Sequence, residues 1–80
     1  MKTYVTQEEA QVLFQLLQSK NCYYCGIHRA DNKGEWYDMH SFSYLVNDTL
    51  VSMQFALQEN TIKHYYVYFD GIQYKRYIRE

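Results

Sequence analysis

Ser41-Phe42-Ser43-Tyr44-Leu45-Val46-Asn47-Asp48-Thr49-Leu50-Val51-Ser52-Met53-Gln54-Phe55-Ala56-Leu57-Gln58-Glu59-Asn60 is the stretch on which the fold turns, because it satisfies two periodicities at once. Read with a period of 3.6, Phe42, Leu45, Val46, Thr49, Leu50, Met53 and Leu57 share one face of a helix, and Met53 to Glu59 is mostly good helix formers. That reading strands Tyr44, Val51 and Phe55 on the back of the helix. Read with a period of two, Asn47-Asp48 is a turn and Val51, Met53, Phe55 and Leu57 alternate inward along a strand.

The flanks are plainer. Upstream, Thr6-Gln7-Glu8-Glu9 has a hydroxyl N-cap followed three residues later by a glutamate, the pattern of a capping box, with Val5 and Ala10 placed as a hydrophobic staple. Ala10, Leu13, Phe14 and Leu17 recur at helical spacing, Val12 and Leu16 widen the stripe, and the spacing predicts a helix over residues 7–20. Two β-rich runs, Cys22 to Arg29 and Glu35 to Met39, flank the turn cluster Asp31-Asn-Lys-Gly34. Downstream, Ile62 to Phe69 and Ile72 to Ile78 flank Asp70-Gly71, a pair favoured in two-residue type I′ turns.

With the middle stretch helical, the chain is a small α+β domain of order αββαββ, an antiparallel sheet with helices on one face. A faint internal echo favours this order: Gln15-Leu-Leu-Gln18 precedes Cys22-Tyr-Tyr24 as Gln54-Phe-Ala-Leu-Gln58 precedes His64-Tyr-Tyr66. With the middle stretch extended, one N-terminal helix lies on a five-stranded meander. Eighty residues make a single compact domain over 1–80 in either case.

Composition narrows the function classes. A net charge of −1, from eight basic and nine acidic side chains, provides no field to gather nucleic acid. No stretch has the apolar length of a secretory signal or a membrane span, so the expectation is a soluble, cytoplasmic chain. There is no proline and no low-complexity tract to mark a linker.

Ten tyrosines stand out in a chain this short. A two-residue loop at Asp70-Gly71 pairs Phe69 with Ile72, Val67 with Tyr74, Tyr65 with Arg76 and Lys63 with Ile78 on the core side. The opposite side then receives Tyr68 with Gln73, Tyr66 with Lys75, and His64 with Tyr77; Tyr24 and His28 join it if Cys25 and Ile27 point inward. Tyrosine combines a large rigid contact area with low entropy cost, which favours it at protein-binding surfaces. Tyr66, Tyr68 and Tyr77, with His64, Lys75 and Tyr24, are therefore the candidate partner-binding residues. The competing explanation is that tyrosine is simply a favoured strand residue with its hydroxyl in water. A base-stacking platform flanked by Lys75, Arg76 and Arg79 is disfavoured by the charge balance.

Cys22-x-x-Cys25-Gly26 resembles one zinc knuckle, and His28 and His40 could complete a tetrahedral zinc site in a nucleic-acid-binding module. A second knuckle is missing, and residues three apart point to opposite faces of a regular strand. Reduced thiols beside ordinary histidines, with no cofactor, are the simpler expectation. No paired carboxylates, phosphate loop, HExxH or GxSxG occurs, which points to a non-catalytic domain. Compact, proline-free, tyrosine-rich and without catalytic motifs, the chain resembles in general character the small inhibitors made by phages and mobile elements, including anti-CRISPR and other anti-defence proteins. That resemblance implies a binder of one larger protein partner. A self-associating homodimer is the further alternative, since exposed sheet edges are often covered by symmetric pairing.

Overall fold

The computed structural model of the chain describes residues 4–79; the side chains of Tyr4, Lys75, Arg76, Tyr77 and Arg79 lie outside that description. The elements run β1 (Tyr4–Thr6), α1 (Gln7–Ser19), β2 (Tyr23–Ala30), β3 (Trp36–Val46), β4 (Thr49–Gln58), β5 (Thr61–Phe69) and β6 (Ile72–Arg79). The capping box forms as its sequence directs: the Glu9 amide donates to Thr6 Oγ1 over 3.1 Å, and the Thr6 amide donates to Glu9 Oε1 over 3.0 Å. From there the helix follows the expected span to within one residue.

The strands form one sheet in the order β1-β6-β5-β4-β3-β2, in which β2 to β6 are an antiparallel meander and β1 pairs with β6 in parallel. The chain therefore starts at one edge of the sheet and begins its meander at the other. The thirteen residues of α1, about 20 Å of helix, bridge the roughly 24 Å between the two edge strands. One face of the sheet is covered by this crossing, and the other is left open.

The α+β class and the helix-on-one-face layout are as the sequence implies. The αββαββ order is not: the stretch from Ser41 to Asn60 forms the hairpin β3–β4, and the chain is the N-terminal helix on a five-stranded meander, extended by the short β1. Three local facts outweigh the helical propensity of Met53 to Glu59. Asn47 and Asp48 take φ of 49° and 64°, and Glu59 and Asn60 take 50° and 64°, so tight two-residue turns bound β4 at both ends. Phe55, which a helix would have left on its back, is fully buried in the strand. Its neighbours Val51 and Leu57 are buried on the same side.

Helix and sheet meet in a core of aromatic rings. Phe14 packs edge-on against His40, Phe42 and Phe55, with centroids 5.0, 5.7 and 5.2 Å away. Phe55 stacks on Tyr65 at 4.9 Å. Ala10 and Leu17, one turn to either side of Phe14, complete the buried stripe. Val12 and Leu16 do not widen it; they are 56% and 55% exposed. A single helix on a sheet buries only the arc that touches, and these two positions lie beyond it.

The C-terminal hairpin keeps the expected register, Phe69 with Ile72, Val67 with Tyr74 and Tyr65 with Arg76. Asp70 and Gly71, at φ 53° and 85°, make the type I′ turn that only such residues accept readily. Alternation fails one step later. Ala56 pairs with His64 but Leu57 with Ile62, which leaves Lys63 as an extra residue in β5. The bulge turns Ile62 into the core and Lys63 out to solvent, so Lys63 is not on the core side where strict alternation puts it.

Candidate functional site

On the face away from α1, the register lines up cross-strand rows. Ile27, Met39, Ala56 and His64 form one, Cys25, Ser41, Gln54, Tyr66 and Lys75 the next, and Tyr23, Ser43, Ser52, Tyr68 and Gln73 the third. Apart from Met39, the middle of each row, on β3 and β4, is short or polar; the β5 end is tyrosine or histidine. Small and polar residues between tall ones produce a trough, and at its β2–β3 turn end is a hollow of about 320 Å³.

Ala56 forms the floor of the hollow, 2% exposed, while Tyr37 and Tyr66 form opposing walls with His64 between them. Tyr37 and His64 rings are 5.3 Å apart, with Tyr37 Oη 3.3 Å from His64 Nε2, and the His64 and Tyr66 centroids are 6.3 Å apart. Beside them Tyr68 donates to Gln54 Oε1 over 3.5 Å and accepts from Gln73 Nε2 over 2.7 Å. Ser43 and Ser52 bond each other at 2.8 Å. The bonds at Tyr37 and Tyr68 fix those two phenols laterally without a partner's help.

The rim is set by the turn between β2 and β3. Asp31 Oδ1 accepts from the Lys33 and Glu35 amides at 2.8 and 2.9 Å, and Gly34, at φ 84°, closes the loop. The Glu35 amide is the main reason the Asp31 carboxyl titrates below its ordinary value. Burial does the opposite to the phenols: it pushes the Tyr66 hydroxyl above its ordinary range, with Tyr68, Tyr37 and Asp31 adding to the effect. Tyr37 is raised too, chiefly by desolvation and then by Asp31 and Glu35. Both hydroxyls are neutral donors at physiological pH, arrayed on an amphipathic surface.

Of the residues singled out in the sequence, Tyr66, Tyr68 and His64 lie together on this face, half-buried. Lys75 and Tyr77 share its rows or its strand, with side chains outside the described residues. Tyr24 and His28 do not belong to it. Tyr24 pairs with Phe42 and His28 with Asp38, both on the helix side of the sheet, so Cys25 and Ile27 are the ones that face the trough. Tyr24 Oη lies 2.6 Å from His40 Nδ1, and His28 Nδ1 lies 2.7 Å from Asp38 Oδ1 while its ring stacks on Trp36 at 4.9 Å. Residues of alternating parity give no sign of which set turns inward until β2 has found its partner.

The same parity separates the zinc candidates. Cys22 packs against the core and directs its thiol to the Leu17 carbonyl at 3.6 Å, whereas Cys25 is exposed on the opposite face. His28 and His40 are on the helix side, in the contacts just given. Among the described residues no three histidine, cysteine, aspartate or glutamate side chains converge as a metal-binding group would require.

Tyr37 and the Asp31 turn are the functional candidates that sequence reasoning passed over. The alternation of Trp36-Tyr37-Asp38-Met39 was available as a signal, but nothing local said that Tyr37 would stand across Ala56 from Tyr66. No helix among the described residues is long and apolar enough to cross a membrane. No family model, curated protein or solved structure matches the chain.

Proposed function

We propose that the chain is a non-catalytic protein-binding domain, a stoichiometric blocker or adaptor of a larger protein, that docks through the tyrosine-walled trough. The observation that carries this reading is the hollow between Tyr37 and Tyr66, floored by Ala56 and flanked by Tyr68, on the sheet face the helix leaves uncovered. Binding energy at protein interfaces concentrates where a pocket accepts an anchor side chain and rigid aromatics surround it. Tyrosines already held by Gln54, Gln73 and His64 lose little freedom on docking, which favours affinity. The reading accounts for the clustering of phenols, where strand preference alone explains only their number.

The test is an affinity capture from nuclease-treated lysate of the source cells, comparing the wild-type chain with the Tyr66→Ala, Tyr68→Ala double variant. A protein recovered in near-equal amount by the wild type and lost by the variant supports the reading. Each single substitution is then expected to weaken that complex by about 2 kcal/mol, roughly thirty-fold in Kd. Unchanged affinity in both variants would show that the trough is ordinary surface.

A further inference from the structure

The two edges of the sheet are built differently. β1 is three residues long, runs parallel to β6 and turns at once into α1, so it offers almost no free backbone. At the other edge, β2 is an eight-residue strand in unbroken register with β3, from Tyr23 opposite Ser43 to Ala30 opposite Trp36. It has no proline and no bulge, one charged residue, Arg29, and every residue from Tyr23 to Arg29 is exposed. Natural sheets protect a free edge by shortening it, kinking it or loading it with charge. This edge has none of those devices, and among the described residues nothing covers it.

Its side chains are complementary to themselves. Reversed about Gly26, β2 sets Cys25 against Ile27, Tyr24 against His28, and Tyr23 against Arg29. Each pairing is favourable across antiparallel strands: apolar with apolar, aromatic with imidazole, and a guanidinium beside a phenol ring. Moving the centre to Ile27 instead sets Arg29 against Cys25, and moving it to Cys25 leaves Arg29 facing Asn21, outside the strand. Gly26 has no side chain, and the Tyr24 ring lies over it so closely that a Cβ there would meet Tyr24 Oη at 2.7 Å. The glycine at the centre thus gives the Tyr24 ring room to fold over the strand on the helix side of the sheet, away from the hydrogen-bonding edge.

We propose that β2 pairs antiparallel with the β2 of a second copy of this chain, about a two-fold axis at Gly26, so that two six-stranded sheets become one. Such an axis stands perpendicular to the sheet and keeps both tyrosine troughs on the same side, with Arg29 at the wall of each hollow close to the seam. The dimer does not depend on what the trough binds; it rests on the edge alone.

Sedimentation of the full chain, kept reduced, over a concentration series tests this. The expected result is a reversible shift from 9.8 kDa to twice that mass. Ile27→Lys, at a side chain 54% exposed and so tolerable to the fold, is expected to raise the dimer Kd roughly ten-fold or more, since an edge lysine blocks pairing in both copies. Far-UV circular dichroism confirms that the variant is folded. Ile27→Cys, oxidised at a concentration where the dimer prevails, is expected to form an inter-chain disulfide to Cys25 of the other copy, located by peptide mass spectrometry. A 9.8 kDa species at every concentration, or a dimer unaffected by Ile27→Lys, overturns the proposal. A cross-link found only between the two copies of Cys25 overturns the axis at Gly26.

Discussion

Strand β4 shows the two sides of this molecule in one element. Toward the helix it sends Val51, Met53, Phe55 and Leu57; away from it, Ser52, Gln54 and Ala56. The rings that meet the first set, Phe14, Phe42 and Tyr65, interlock edge to face or stack, and the Tyr65 hydroxyl donates toward the Met53 sulfur at 3.9 Å. The rings above the second set are Tyr37, Tyr66 and Tyr68; the Tyr37 and Tyr68 hydroxyls are tied sideways through His64, Gln54 and Gln73, and the Tyr66 ring lies 6.3 Å from that of His64. Aromatic area is abundant on both faces. On one it is consumed by the helix, and on the other it stays partly accessible, which is how a chain with an ordinary amount of core can also leave aromatic area on its surface.

That contrast can be broken most sharply at its two extremes. Phe55→Ala empties the centre of the core and is expected to lower stability by about 3–5 kcal/mol, enough to unfold a domain of this size, as read from urea denaturation followed by circular dichroism. Tyr68→Ala is expected to cost less than about 1 kcal/mol of stability while removing about 2 kcal/mol from the complex with the captured partner. Equal losses of stability at Phe55 and Tyr68 would abolish the distinction between the faces.

A smaller effect belongs to the helix that creates the distinction. Thr6→Ala removes the N-cap and is expected to cost about 1 kcal/mol in chemical denaturation. The bond from the Thr6 amide holds the Glu9 carboxyl below its ordinary 4.5. A folded value below the unfolded one means that this contribution is complete above the unfolded value and is lost as pH falls from about 4.5 through the lower folded value. Asp31 shifts in the same direction. The midpoint of thermal unfolding is therefore expected to decline on acidification through that window, and Glu9→Gln, which removes the titrating carboxyl, to make the decline shallower.

The smallest expected change is a gain. Glu59 occupies the left-handed region at φ 50°, where a glutamate is strained and an asparagine is not. Glu59→Asn is expected to stabilise the β4–β5 hairpin by about 0.5 kcal/mol, detectable as a higher urea midpoint with an unchanged slope.

Local chemistry determined much of this protein directly from its sequence. The helix between Thr6 and Lys20 needed only a capping hydroxyl, a glutamate three residues on and the recurrence of Ala10, Phe14 and Leu17. The last hairpin needed only Asp70-Gly71, and once that turn was set, Tyr66 and Tyr68 had to share a face. Those signals act within a few residues, so no distant contact was required to read them. Tertiary structure decided the remainder, because there the local terms were balanced. Ser41 to Asn60 carried both periods, and burying Phe55 and Val51 under α1 resolved it in favour of strands. β2 alternates acceptable residues on both sides, and only its register with β3 turned Tyr24 and His28 toward the helix and Cys25 and Ile27 toward the trough. The Lys63 bulge has the same origin: Ile62 and Tyr65 could both reach the core only if one residue between them was left out of the ladder. A one-residue slip inverts every side chain on a strand, so face is a property of the assembled sheet, and the candidate site, which is a face, came into being with it.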